Sequence, residues 1–139
     1  MKAQIETQII IKSSPEKVWK NLIDFNSYSN WNSFITSIQG TAAVGEQLVA
    51  NINKSQFKPT VLIATPNKEL RWLGKLLFSG IFNGEHYFQI TETSDGNTLL
   101  THGENFKGIL VPMFKNKLHT DIKNGFESMN EALKRLCEQ

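Results

Sequence analysis

Three side chains in the second half of the sequence have the chemistry of a proton-handling site: His86, His102 and Glu104. A carboxylate beside an imidazole in a water-poor setting holds a proton in a defined place, and can orient a bound molecule or deprotonate it. The same pair can equally satisfy itself as a buried polar contact. Two histidines and one carboxylate without metal-ligand spacing do not make a zinc site, so no metal is expected. What matters is which elements bring the three groups together.

Phe82 to Thr93 and Thr98 to Lys107 both alternate apolar and polar residues around a glycine-containing turn, the pattern of a hairpin. Residues directly opposite in an antiparallel pair point to the same face, so loop length decides which side chains share the core. A two-residue Asp95-Gly96 turn would set Phe88 against Gly103 and Ile90 against Thr101, sending Leu100 and Phe106 outward. A three-residue loop, Ser94-Asp95-Gly96, with Gly96 as the left-handed residue, sets Ile90 against Leu100, Phe88 against His102 and His86 against Glu104. This register buries more apolar surface and is the one expected.

The same reasoning at Ser79-Gly80-Ile81 sets Phe78 against Phe82, Leu76 against Gly84, Gly74 against His86 and Trp72 against Phe88. The inner wall then carries Leu70, Trp72, Leu76, Phe82, Phe88, Ile90, Leu100 and Phe106. Gly74 and Gly84 leave gaps beside His86. Apolar walls with a few convergent polar groups are the usual makeup of a small-molecule site. Trp72, Phe88 and Phe106 can stack on a flat ligand or simply fill the core.

The remaining elements frame that wall. Ile5, Ile9 and Ile11 alternate with Glu6, Gln8 and Lys12, predicting a first strand over Gln4 to Lys12. Ser13-Ser14-Pro15-Glu16-Lys17 supplies a cap, a preset φ and a first-turn acid, so a helix follows with Val18, Trp19, Leu22 and Ile23 on one stripe. Asn26 to Ser33 reads as a short irregular helix or turn. Further strands are expected at Ile35 to Gly40, Gln47 to Asn53, Phe57 to Ala64 and Glu69 to Phe78, as one antiparallel meander. From about Met113 to Cys137, Phe114, Leu118, Ile122, Phe126, Met129, Leu133 and Leu136 recur at near-helical spacing, predicting one long amphipathic helix. Gly125 within it costs about 1 kcal/mol against alanine, which points to close approach by another element or a bend over the pocket. Gly108 and Pro112 flank a candidate mouth loop, Ile109 to Met113, with an apolar tip.

A strand, a helix, a run of strands and a long helix make an α+β pattern in one domain spanning 1–139, with the helix lying on the sheet. A curved sheet and a straight helix leave space between them. A dry apolar void of about 300 Å³ would cost about 7 kcal/mol, so water, a ligand or partial collapse is expected to fill it.

Composition narrows the function classes. With 15 basic and 13 acidic residues the formal charge is +2, and no basic cluster suggests nucleic acid. No apolar run approaches the 18 or so residues of a membrane span. Met1 to Glu6 lacks the apolar core of a signal peptide, so a cytoplasmic location is expected. The single cysteine, Cys137, has no internal disulfide partner and reads as packing. There is no phosphate-cradling glycine loop, dinucleotide fingerprint or nucleophile elbow, so no cofactor is expected.

Ile9-Ile10-Ile11-Lys12-Ser13-Ser14-Pro15-Glu16-Lys17-Val18-Trp19, with Asp24-Phe25-Asn26-Ser27-Tyr28-Ser29-Asn30-Trp31-Asn32-Ser33-Phe34, resembles the opening of SRPBCC proteins. The resemblance is to the polyketide cyclase/dehydrase-like branch of the START and birch-pollen-allergen superfamily. Glu69 to Gly74 and Leu99 to Gly108 are similar to it as well, and Ser33 stands where a proline is often found. The resemblance implies a helix-grip fold, in which a curved antiparallel sheet wraps a long C-terminal helix around a hydrophobic cavity. It also implies binding or transport of a small hydrophobic molecule, aromatic or lipid-like. The expected ligand-binding residues are Trp72, Gly74, His86, Phe88, His102, Glu104, Phe106, Leu118, Ile122 and Phe126. Two alternatives stay open: a cyclase- or dehydratase-like enzyme using His86, Glu104 or His102 for proton transfer without a cofactor, and a protein-interaction domain.

Overall fold

The structure, a computed structural model, describes residues 2–52, 54–75 and 83–139. The opening alternation forms β1 (Lys2–Ile11), with Ile5, Thr7 and Ile11 buried and Glu6, Gln8 and Ile10 facing out. In α1 (Pro15–Ile23) the Ser14 hydroxyl accepts the Lys17 N–H at 3.3 Å, and Val18, Trp19 and Leu22 are buried. A 3-10 turn (Phe25–Ser27) and a one-turn helix, α2 (Tyr28–Trp31), make up the irregular stretch that follows. The Tyr28 hydroxyl, donating to the Leu22 carbonyl at 2.5 Å, pins this stretch to α1. Burial, reinforced by Asp24, pushes that phenol's pKa above its ordinary value.

The strands form two sheets instead of one continuous meander. β2 (Ile35–Gln39), β3 (Val49–Ile52) and β4 (Ser55–Phe57) make the smaller. β5 (Thr60–Thr65), β6 (Glu69–Lys75), β7 (Asn83–Glu92) and β8 (Thr98–Lys107) join β1 in the larger, ordered β1-β8-β7-β6-β5 and antiparallel throughout. The expected strand Phe57 to Ala64 is broken at Pro59, which has no N–H for a ladder. Its carbonyl accepts the Leu48 N–H at 2.7 Å, and Val61 N–H bonds the Glu46 carbonyl at 2.9 Å. These bonds stitch the sheets together at the corner where the chain changes direction.

The β7–β8 hairpin has the three-residue loop that parity selects: Ile90 lies opposite Leu100, Phe88 opposite His102 and His86 opposite Glu104. Gly96 closes it with φ +83°. The β6–β7 register differs from expectation by two residues. Trp72 lies opposite His86, Leu70 opposite Phe88 and Gly74 opposite Gly84. A shift of two preserves the inward face, so Leu70, Trp72, Phe88, Ile90, Leu100 and Phe106 are all buried as the pattern requires. The expected Phe78–Phe82 pair and the wall positions Leu76 and Phe82 lie outside the described residues.

The terminal helix starts at Val111, two residues earlier than expected, with Pro112 in its first turn. It is not uniform: α3 (Val111–Lys117) leads through a π turn (Leu118–Ile122) into α4 (Lys123–Cys137). The spacing of the stripe explains the irregularity. Phe114, Leu118, Ile122 and Phe126 are successive fours, which in a regular α-helix would drift about 120° around the axis. A wider π turn absorbs the extra residue and keeps the stripe on the sheet. At the far end Lys134 Nζ reaches the Ile10 carbonyl at 2.9 Å, and the Lys12 N–H reaches Glu138 at 2.7 Å, fastening α4 to β1.

Gly125 marks a close approach. A Cβ built there would lie 2.3 Å from the Phe34 ring, which is buried and packs edge-on against Phe126 at 5.4 Å. Gly125→Ala gains about 1 kcal/mol of helix propensity but overpacks the ring, which costs about 1–3 kcal/mol. Urea denaturation is expected to show a net loss of about 1 kcal/mol. In a Phe34→Ala background the same substitution is expected to stabilise, and equal effects in both backgrounds would contradict the packing argument.

Candidate functional site

β8 directs Leu100, His102, Glu104 and Phe106 inward, so two polar side chains stand next to each other on an apolar face. Their satisfaction comes from three other elements. On β7, His86 lies opposite Glu104, with Nδ1 3.2 Å from Glu104 Oε1 and Nε2 2.7 Å from His102 Nε2. On β1, Thr7 lies opposite His102 and donates its hydroxyl to the His102 carbonyl at 2.8 Å. From α4, Asn130 accepts from His102 Nδ1 at 2.7 Å and donates to Thr7 Oγ1 at 2.8 Å. The result is one hydrogen-bonded chain: Glu104, His86, His102, Asn130, Thr7.

Aromatic rings enclose the imidazoles. Phe88 and Phe126 stack on His102, each with ring centroids 4.3 Å away, and Trp72 stacks on His86 at 5.1 Å. His102 is fully buried, and loss of solvation followed by the neighbouring His86 holds its pKa well below the ordinary value, so it is neutral. Glu104 is partly open, with 14% of its side chain exposed. Gly84 makes room for it, because a Cβ there would fall 2.0 Å from Glu104 Oε2.

Next to this chain lies a pocket of about 110 Å³. Of the residues expected to bind ligand, it is lined by Trp72, Gly74, His86, Glu104, Phe106, Leu118 and Ile122. Phe88, His102 and Phe126 do not line it. They are fully buried behind the lining residues, where the first two close the β7–β8 face and Phe126 packs over them. Alternation and helical spacing give the inward face but not the depth along it, so Phe88, His102 and Phe126 are expected at the pocket and lie one layer behind it.

One whole wall is also missed. Phe34, Ala50, Ile52, Phe57 and Pro59 line the pocket from the small sheet and the residues around it, a consequence of the chain breaking at Pro59. Thr7 and Asn130 were missed as well, although both had a signal. Thr7 falls on the odd, inward face between Ile5 and Ile9, and Asn130 follows Phe126 by four on the helix stripe. The expected mouth loop is not a loop beyond Leu110: Val111 to Met113 already belong to α3, Ile109 and Met113 are exposed, Val111 is buried, and none of the three lines the pocket. Cys137 is buried beside Asn21, and burial raises its thiol pKa, in keeping with a packing role. Among the described residues no group of three or more His, Cys, Asp and Glu is placed to hold a metal ion, and no helix is long and apolar enough to cross a membrane.

A neutral His102 links stability to pH. Its pKa is lowered in the folded state, so the contribution is present above the unfolded value near 6.5 and is lost as pH falls. Unfolding free energies are expected to decline below pH 6.5, with a limiting slope of about 1.4 kcal/mol per pH unit from this group. His102→Gln, lacking the ring, is expected to flatten that decline between pH 6.5 and 5. An unchanged slope would remove His102 as its source.

Comparison with known proteins agrees with this architecture. No curated protein matches the sequence. Among solved structures, a START superfamily protein from Mycobacterium smegmatis is 20% identical, with a TM-score of 0.74 over 98% of this chain and 97% of that one. The Aha1 dimer of Colwellia psychrerythraea is 22% identical, with a TM-score of 0.76 over 98% and 96%. The di-domain ARO/CYC protein StfQ of steffimycin biosynthesis is 8% identical, with a TM-score of 0.81 over 99% of this chain and 51% of that one. At such identities the likeness is one of fold, the helix-grip α+β arrangement. The profile of one family, described as polyketide cyclase/dehydrase and lipid transport, matches residues 2–138, and the chain belongs to that family.

Proposed function

We propose that this protein binds a small hydrophobic molecule, aromatic or lipid-like, in the pocket between the sheets and the C-terminal helix. The carrying observation is a mostly apolar pocket with a single polar end, the His86–Glu104 pair. Trp72 and Phe106 offer flat apolar surface, Leu118 and Ile122 close the pocket from the π turn, and Glu104 offers an oxygen. The family description, which joins cyclisation and dehydration with lipid transport, supports the same ligand class. A pocket of about 110 Å³ suits one aromatic ring, since an engineered cavity of about 150 Å³ takes benzene. Larger ligands require Phe34 or the π turn to move. If the site is instead catalytic, His86 and Glu104 are the acid–base groups, because His102 lies behind the lining.

Benzyl alcohol is a suitable first probe. At roughly 0.5 kcal/mol per heavy atom it would bind with about 4 kcal/mol, a Kd on the order of a millimolar. Titration is expected to change Trp72 fluorescence and shift the amide resonances of Gly74 and Gly84. Ile122→Trp, which fills the pocket from the helix side, is expected to abolish both changes while leaving the fold intact. Shifts that persist in the filled variant would place binding elsewhere, and absence of any shift in the wild type would reject the reading.

Gly84→Ala tests the polar end. Its methyl group would fall 2.0 Å from Glu104 Oε2, which is the far end of a flexible side chain and can move aside. Stability is expected to change by less than ~1 kcal/mol while affinity for the alcohol falls roughly tenfold, the scale of one lost hydrogen bond. Undiminished affinity would show that the carboxylate does not contact the ligand.

A further inference from the structure

The direction of the buried hydrogen-bond chain is set at its far end. Thr7 has one hydroxyl proton, and it is committed to the His102 carbonyl. Thr7 Oγ1 therefore meets Asn130 as an acceptor, and the amide nitrogen of Asn130 occupies that contact. The amide oxygen is left for His102 Nδ1, which must carry a proton. Because His102 is neutral, its Nε2 is a lone pair, and His86 Nε2, 2.7 Å away, is the donor to it.

That leaves His86 Nδ1 facing Glu104 Oε1 at 3.2 Å. With His86 neutral and Glu104 ionised, two lone pairs would oppose each other. One more proton has to lie in this contact, on Nδ1 or on Oε1. The pair is net neutral in both cases, either imidazole with carboxylic acid or imidazolium with carboxylate. Glu104 Oε2 takes no part in the contact and is an acceptor in both.

We propose that Thr7 and Asn130 are positioning residues that keep the His86–Glu104 pair net neutral, so that the pocket selects an uncharged, hydroxyl-bearing ligand over a cationic amine of the same shape. The selectivity rests on the reading of the pocket as a binding site; the proton arrangement does not. In the reversed chain Asn130 would donate to His102 Nδ1, His102 Nε2 to His86 Nε2, and His86 Nδ1 to an ionised Glu104. The polar end would then carry a full negative charge and attract an ammonium group. Reversal turns the Asn130 oxygen toward Thr7, and Thr7 would have to abandon the His102 carbonyl to meet it.

Long-range nitrogen–proton correlation spectra of the histidine rings read the tautomers directly. In the wild type His102 is expected to carry its proton on Nδ1, with Nε2 bare, and His86 to be protonated at Nε2. A His102 protonated at Nε2 overturns the proposal without any variant. The paired probes are benzyl alcohol and benzylamine, the latter an ammonium at neutral pH. Wild type is expected to prefer the alcohol. Thr7→Val is expected to move the preference toward the amine by about tenfold, with matching tautomer changes, and Thr7→Ser, which keeps the hydroxyl, to behave as wild type. Wild-type tautomers and preference in a folded Thr7→Val protein would overturn the positioning role. If neither probe binds the wild type, the binding reading and its selectivity fall, while the tautomers still judge the chain.

Discussion

Two polar side chains adjacent on the inward face of β8 are the constraint to which the rest of the structure answers. A buried polar group without a partner costs about 1–3 kcal/mol, and an unpaired charge far more. His102 and Glu104 can be tolerated only if other elements bring partners to within bonding distance. β7 must be registered to place His86 between them, β1 must present Thr7, and α4 must present Asn130. A one-residue slip between β7 and β8 would put Gly103 where His102 stands and turn both polar groups outward. The polar chain thus fixes the register of three strands and the position of α4 together. Apolar packing alone specifies these less sharply.

The apolar half of the interior is organised by a different compromise. If dry, a void of about 110 Å³ would cost about 3 kcal/mol, well below the cost of the larger hollow that a curved sheet and straight helix suggest. The reduction comes from the chain itself. Pro59 breaks the ladder and lets the small sheet contribute Ala50, Ile52 and Phe57, and the π turn brings Leu118 and Ile122 to the same space. Gly125 admits Phe34 against the helix. What is left open borders the His86–Glu104 pair, whose carboxylate is not wholly sealed.

How much of this the sequence discloses depends on the range of the interaction. Parity is local, so the β7–β8 register and the inward set of β8 follow from alternation and the loop around Gly96 alone. The β6–β7 register is two residues away from the parity argument because parity distinguishes odd from even and cannot tell one even shift from another. The break at Pro59 is visible as a residue that cannot donate, yet alternation from Phe57 to Ala64 reads straight through it. Thr7 and Asn130 are legible only once inward polar positions are asked what they bond to. Their partners lie on strands and a helix distant in sequence, and no spacing rule joins them.

The direction of the proton chain also bears on the choice between holding a ligand and transforming it. An acid–base catalyst has to lose and regain its proton in each turnover. If the His86–Glu104 pair gives up its proton, either two lone pairs face each other at 3.2 Å or the whole chain back to Thr7 must reverse. Relay from the buried side is blocked, because Asn130 is an amide and cannot accept a proton from His102 and pass another on. The pocket is then the route by which that proton is exchanged, and a bound ligand would stand in it. Anchoring a ligand and exchanging a proton with it would therefore draw on the same contact, His86 Nδ1 with Glu104 Oε1.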